Sequence, residues 1–288
     1  MIRIENLSKR IKKYHILSEV SLDIEGIYGL IGPNGAGKTT LMKILASLTS
    51  MNAGNIQMDG NNMVKGKYVK QNMLVGYLPQ DFMVYPNIPL EEALDHIAML
   101  QGLMNKHERK IKVGQVIKEV NLQGHEHKKM IELSGGMRKR VGIAQLLLGN
   151  PSILIFDEPT AGLDIEERIR FRNLLRHLGE ERTIIISSHI VEDIEFLSTK
   201  IGVLKNGRVL FEGSPAELKA LAKGSVWEYR IRMEELDDMV RYKKVVQVTE
   251  ENEGFTVRVF SQEKEEGAEL VKAKLVDGYL AAVAGGSG

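Results

Sequence analysis

The residue types in Gly32-Pro33-Asn34-Gly35-Ala36-Gly37-Lys38-Thr39 could hold a chain of phosphates. The octet fits G-x-x-x-x-G-K-[ST], and it lies between a short apolar run, Gly29-Leu30-Ile31-Gly32, and a stretch of helical periodicity. Glycines let successive backbone N–H groups turn inward as an anion nest, and a helix starting near Gly37 adds a favourable field for negative charge. Lys38 can reach the β- and γ-phosphates of a nucleotide, and the Thr39 hydroxyl can ligate Mg²⁺. Thr40 adds a second hydroxyl beside it.

A second group of residues supplies carboxylates. In Ile153-Leu154-Ile155-Phe156-Asp157-Glu158 four apolar residues put Asp157 at the end of a strand, where a carboxylate can hold the water shell of Mg²⁺. Glu158 points to the other side, because strand side chains alternate, and it could polarise a water for in-line attack on a γ-phosphate. A hydrophobic strand ending in Asp-Glu also fits a solvated strand end. Together with the phosphate loop it points to hydrolysis.

These groups need a scaffold, and the hydrophobic pattern supplies one. Ile2 and Ile4, then Val20, Leu22 and Ile24, repeat with the period of strands. Thr39 to Leu48 reads as a helix with Leu41, Ile44, Leu45 and Leu48 on one face. Leu74 to Leu78 is a further strand, ended by Pro79. Leu90 to Leu103, Val113 to Val120 and Ser134 to Leu148 read as helices, the last with Ser134 as its N-cap. Ile153–Phe156 and Thr183–Ile186 are strands of the fully buried kind, each followed by polar residues. Strands alternating with helices predict a parallel, doubly wound α/β sheet with the site at the strand C-termini. The helical run from about 88 to 150 reads as a subdomain inserted into it.

The remaining motifs carry a resemblance. Leu133-Ser134-Gly135-Gly136-Met137, followed by Arg138-Lys139-Arg140-Val141, resembles the signature of the ATP-binding cassette (ABC) ATPases. The order is also theirs: phosphate loop, Gln80 in Tyr77-Leu78-Pro79-Gln80, signature, Asp157-Glu158, Ala161-Gly162-Leu163-Asp164, then Ser187-Ser188-His189. The resemblance spans Ile2 to about Leu221. It implies a P-loop NTPase core with antiparallel N-terminal strands, ATP and Mg²⁺ as ligands, and two cassettes meeting head to tail. Each ATP would lie between one phosphate loop and the partner's Ser134, Gly135 and Gly136. A helix capped by Ser134 offers its N-terminal N–H groups to a γ-phosphate. Gln80 would contact Mg²⁺ and the attacking water, Asp164 would lie on the loop crossing to the other protomer, and His189 would hold the γ-phosphate and the catalytic water. Two positions depart from the pattern. Met137 replaces the usual Gln of the signature, and Ile11 stands where an aromatic residue commonly stacks on adenine, with Tyr14 close but out of register.

Composition narrows the class. Lys plus Arg is 39 against 38 for Asp plus Glu, a formal charge of +1, which gives no general reason to expect nucleic-acid binding. There is no cysteine, so no thiol nucleophile and no Cys-ligated metal. The longest run without a charge, Val141 to Phe156, has 16 residues and contains Asn150-Pro151, against the ~20 a membrane span needs. No signal peptide is visible at Met1, so a cytoplasmic chain is expected, peripheral on the inner face of the membrane when bound to a separate permease. Residues 1–224 carry 30 basic and 25 acidic side chains, and 225–288 carry 9 and 13. That shift predicts an ATPase domain over 1–222, a small C-terminal α+β domain over 225–284, and a tail or scar at 285–288. In the tail region, Val226 to Met233 and Phe255 to Phe260 read as strands, Glu253-Gly254 as a turn, and Leu270 to Ala284 as a helix. Such an extension, with Met137 in the signature, is similar to the branch that exports drugs, peptides and lantibiotics. A soluble regulatory or assembly ATPase with the same site is the alternative. Phe82, Met83, Val84 and Tyr85 either meet the permease or pack under the helical subdomain.

Overall fold

The computed structural model describes residues 1–58, 61–64, 67–68, 75–82, 85–251 and 254–285. Contacts divide the chain into two compact units, Met1–Val209 and Leu210–Gly288. This division falls ahead of the charge shift at Lys223-Gly224-Ser225.

The first unit holds two sheets, apart from the last four residues of the edge strand Arg208–Gly213, which fall past the division at Val209. Strands β1 (Ile2–Ile11), β2 (Tyr14–Ile24), β4 (Ala53–Met58), β5 (Asn61–Val64) and β6 (Lys67–Tyr68) form an antiparallel sheet in the order β2-β1-β4-β5-β6. Its pleat buries Ile2, Ile4 and Leu7 against Leu17, Val20, Leu22 and Ile24. Register shifts between Ile4 and Lys9 break the strict period of two, and Asn6 (φ 50°) and Glu19 (φ 52°) sit in left-handed backbone there.

The second sheet has the order β11-β10-β3-β9-β8-β7, built from β3 (Ile27–Ile31), β7 (Val75–Leu78), β8 (Ile153–Phe156), β9 (Thr183–Ser188), β10 (Lys200–Lys205) and β11 (Arg208–Gly213). The pairs β10–β3, β3–β9, β9–β8 and β8–β7 are all parallel. Every residue of β3 and of β8 is buried, as expected where a sheet is covered on both faces and strands read as unbroken apolar runs.

The helices differ from their sequence reading at the ends. Helix α1 is Lys38–Leu45 and stops short of the expected Leu48. Ser47 takes φ 59° and Leu48 is 63% exposed, so Leu48 leaves the buried face that Leu41, Ile44 and Leu45 share. Helix α2 is Leu90–Leu100, and left-handed Gly102 (φ 95°) follows its last turn where continuation to Leu103 was expected. Helix α3 runs Lys106–Glu119, a full two turns earlier than Val113, because the Asn105 side chain caps it by accepting from the His107 and Glu108 N–H groups. Its charged first half, Lys106-His107-Glu108-Arg109-Lys110, hides the apolar period. Helix α4 is Gly135–Leu148, with Ser134 as N-cap. Helices α2, α3 and α4 form the expected helical insertion, and α5 (Ile165–Leu178) and α6 (Val191–Glu195) return to the sheet. Phe82 packs there: a Cβ at Gly142 of α4 would lie 2.8 Å from its ring. Tyr85 is exposed, and Leu74, Met83, Val84 and Glu253 lie outside the described residues.

The second unit contains α7 (Pro215–Ala220), β12 (Val226–Ile231), α8 (Leu236–Tyr242), β13 (Val245–Glu251), β14 (Gly254–Phe260), β15 (Glu269–Leu270) and α9 (Leu275–Gly285). Its sheet order is β13-β14-β12-β15. One face buries Tyr229, Val257 and Val259 under Ile231, Leu236, Met239 and Phe255. On β14 the intervening Arg258 is also buried, donating to both carboxylate oxygens of Asp277 in α9 and to Glu228. The expected helix from Leu270 starts five residues later, since Leu270 belongs to β15. Helix α8 buries no residue, and strand β13 is half-buried at best and ends in three polar residues, so neither carries a clear apolar period in the sequence.

Candidate active site

Four neighbouring parallel strands deliver the candidate side chains to one edge of the sheet. β3 ends at the phosphate loop, β9 at His189, β8 at Asp157 and Glu158, and β7 at Gln80. This is the carboxyl edge, where a doubly wound sheet leaves a crevice. A cavity of about 490 Å³ opens there, lined by Asn34 to Thr40 together with Ile16, Gln80, Glu158 and His189.

The loop can take its shape only with glycine at particular places. Gly37 has φ 105° and a Cβ there would lie 2.7 Å from Leu17 and 2.9 Å from the Ile16 carbonyl. At Gly32 a Cβ would come within 2.0 Å of the Leu204 carbonyl oxygen. The close approach of β10 and the N-terminal sheet therefore sets the glycine spacing. Lys38, 7% exposed, donates to the Gly32 carbonyl at 2.7 Å and the Pro33 carbonyl at 3.2 Å, and its Nζ stands 3.7 Å from Glu158 Oε1. Burial lowers the pKa of this ammonium, and the carboxylates of Glu158 and Asp157 offset part of that. A desolvated cation over a cavity lined with backbone donors suits an anionic ligand.

Asp157 is buried. Its Oδ1 accepts from Ser187 Oγ at 2.7 Å and its Oδ2 from the Tyr77 hydroxyl at 3.2 Å. Burial and the Asp157 charge raise the Tyr77 pKa, so the phenol stays a donor. Glu158 takes φ 50°, an uncommon conformation for a non-glycine residue. Its N–H donates to Ser187 Oγ at 2.9 Å, and its Oε2 faces His189 Nδ1 at 2.5 Å and the His189 N–H at 3.3 Å. The left-handed backbone, rather than simple strand alternation, turns Glu158 into the cavity while Asp157 stays behind it. The Thr39 hydroxyl, the Gln80 amide oxygen and the Asp157 carboxylate are hard oxygen donors of the kind Mg²⁺ takes, usually with substrate phosphates completing the shell.

Ser134, Gly135 and Gly136 do not line this cavity. Ser134 Oγ accepts from the Met137 N–H at 3.1 Å, leaving the first turn of α4 exposed at Ser134 and Gly135. Asp164 caps α5, its Oδ1 accepting from the Glu167 N–H at 2.8 Å. Gly136 is buried against Glu167, whose carboxylate would be 2.3 Å from a Cβ there. Ile11 and Tyr14 are exposed, 49% and 74%, and neither lines the cavity. Ile16 does, a contact the sequence reading missed because it sought an aromatic. Ser187, Tyr77 and Lys139 were missed as site-shaping residues as well. Ser187 had a signal, a hydroxyl directly after the buried run Ile184-Ile185-Ile186.

Comparison with known proteins fits this geometry. The ABC transporter family profile matches residues 17–161, from the edge of the cavity past Glu158. The chain belongs to the ABC transporter family. The ABC transporter ATP-binding protein YxlF of Bacillus subtilis (strain 168) is 32% identical over 85% of this chain and 81% of its own length. The linearmycin resistance ATP-binding protein LnrL of the same organism is 31% identical over 76% and 70%. A probable sulfate/thiosulfate import ATP-binding protein of Chlorella vulgaris is 31% identical over 75% and 92%. Among solved structures, the dimeric bacterial ABC transporter cassette MJ0796 superposes with TM-score 0.65 and 27% identity, covering 74% of this chain and 98% of that one. As a family member the chain is an ABC ATPase subunit of a transporter, using ATP with Mg²⁺ and working with a membrane permease.

Proposed function

We propose that this ABC subunit dimerises head to tail on ATP and powers export of a drug, peptide or similar substrate through a separate membrane protein. The observation carrying the reading is a division of labour within one chain. Lys38, Gln80, Glu158 and His189 gather around one cavity, whereas the Ser134 helix terminus lies outside it. A second copy would bring its own Ser134, Gly135 and Gly136 to the γ-phosphate. The cassette MJ0796 has been solved in dimeric form, including a post-hydrolysis state bound to ADP and Pi.

In this reading the N–H groups of Gly35 to Thr40 and the Lys38 ammonium hold the β- and γ-phosphates. Thr39, Gln80 and Asp157 would hold Mg²⁺, which would screen the phosphate charge. Glu158 takes the proton of the attacking water. His189, bonded to Glu158 through Nδ1, presents its other ring edge to the γ-phosphate and keeps the carboxylate aimed. Asp164 sits at the start of α5, where it can face the other protomer. Among the described residues no helix is long and apolar enough to cross a membrane, in keeping with a subunit held at the inner face by its permease. The likeness to LnrL, named for linearmycin resistance, supports the export reading. Capture of the tagged chain from detergent-solubilised membranes of its host should bring a polytopic protein with it, and vesicles of that pair should move substrate outward on ATP. Recovery of the chain alone, fully active in the soluble fraction, would instead indicate a regulatory ATPase.

A further inference from the structure

We propose that Lys139 is a positioning residue that ties the signature helix to the turn carrying Glu158, so that one helix serves both nucleotides. The inference rests on the head-to-tail reading above. Lys139 lies one turn into α4, beyond Ser134, Gly135 and Gly136. Its ammonium crosses to the core and donates to the Pro159 carbonyl at 2.7 Å and the Ala161 carbonyl at 2.6 Å. Those carbonyls flank Thr160 in the turn that starts at Glu158, which is closed by the Ala161 N–H donating to the Glu158 carbonyl at 3.2 Å.

The turn needs such a clasp. Glu158 is held in left-handed backbone, a conformation that persists only where the surroundings over-determine it. From inside, Ser187 Oγ receives the Glu158 N–H, and the buried Thr160 hydroxyl donates to Asp193 at 2.7 Å. From outside, Lys139 adds a further restraint. Burial depresses the pKa of Lys139, with Asp81 and Glu158 offsetting part of the effect. A half-buried ammonium is tolerated only where hydrogen bonds replace its lost water, and here the two carbonyls of the turn supply them. The neighbouring Arg140 makes a parallel connection, donating to the Asn121 carbonyl at 2.8 Å and reaching Glu167 of α5 at 3.4 Å. That bridge ends on a helix. Only the Lys139 bridge ends on the catalytic turn. Lys139 does not line the ATP cavity, so its influence on the reaction runs through Glu158. Seating Ser134 on the partner's nucleotide would then fix the position of Glu158 at the chain's own nucleotide.

The test compares the full chain with its Lys139→Met and Lys139→Arg variants, after thermal melting has shown each to be folded. Lys139→Met should bind ATP within about twofold of normal and lose about 100-fold in kcat, the scale of a displaced catalytic group. Lys139→Arg, which keeps a donor fork for two carbonyls, should recover most of the rate. Because Lys139 acts through Glu158, adding Lys139→Met to Glu158→Gln should leave the residual rate unchanged. A normal kcat in Lys139→Met overturns the inference. So does a parallel loss of ATP affinity, or a further 100-fold fall in the Glu158→Gln background. If Lys139→Met fails to fold, the kcat of Lys139→Arg decides alone: near-normal turnover supports the clasp and a 100-fold loss overturns it. Failure of the parent chain to hydrolyse ATP, and of Glu158→Gln to dimerise on it, would sink the head-to-tail reading and this inference with it.

Discussion

Glu158 and Lys38 show how two buried charges are kept useful. Lys38 shares a long ion pair with Glu158 Oε1 at 3.7 Å and donates to two carbonyls of its own loop. Phosphate oxygens offer it better partners, so Lys38→Ala should weaken ATP binding. Loss of a charge-assisted hydrogen bond of about 1.5–3 kcal/mol corresponds to roughly 10- to 150-fold in affinity, measurable by calorimetric titration. The stabilisation that ATP gives to melting should shrink in step. Unaltered affinity would show that this loop is not the phosphate site. Glu158→Gln keeps the shape and the contact to His189 but removes the base. It should bind ATP normally, lose about 100-fold or more in phosphate release, and sediment as a dimer with ATP. Turnover near the parent rate would remove Glu158 from its role.

At the scale of elements, the phosphate loop and the signature are both helix beginnings with different caps. Helix α1 starts from left-handed Gly37 with no side-chain cap, which leaves its N–H groups for phosphate. Helix α4 is capped by Ser134. Ser134→Ala therefore has a structural and a functional consequence that can be separated. Loss of the cap should cost about 1 kcal/mol of stability, seen in chemical denaturation. ATP affinity of the isolated chain should stay unchanged, because Ser134 is outside the cavity, while ATP-driven dimerisation and turnover fall. A Ser134→Ala chain that dimerises and turns over normally would leave Ser134 as a cap alone.

For the whole molecule, the second unit carries its own core and its own buried ion pair. Asp277 is fully buried and Arg258 is 4% exposed. Breaking a buried pair by removing one partner costs about 3–5 kcal/mol, so Asp277→Ala should strongly destabilise this unit. Trp227, the single tryptophan of the chain, lies in β12 and reports on that unit by fluorescence. The expected result is an early fluorescence transition with ATP affinity retained by the first unit. Simultaneous loss of ATP binding would show that the units do not fold independently. Cutting the chain at Ala222, the end of the ATPase domain expected from the sequence, would not leave the first unit alone. Leu218 of α7 is fully buried and a Cβ at Gly278 of α9 would lie 2.0 Å from its carbonyl, so that cut strips α7 of its partner.

The sequence by itself determined the cradle, the order of the motifs and the parallel core. Glycine spacing, Lys38-Thr39 and unbroken apolar runs such as Ile153–Phe156 are local signals whose physics acts within a few residues. Helix ends were less legible, because Leu48 and Leu103 keep the apolar period while Ser47 and Gly102 end the helix by backbone conformation. Only the tertiary structure decided how Glu158 reaches the cavity. Its left-handed turn is imposed by Ser187 from β9, Asp193 from α6 and Lys139 from α4, residues about 20 to 35 positions away along the chain. The same holds for Ile16 at the cavity edge and for the paired Arg258 and Asp277. A polar residue's worth depends on what folding brings within hydrogen-bond reach, and single-residue patterns do not encode that.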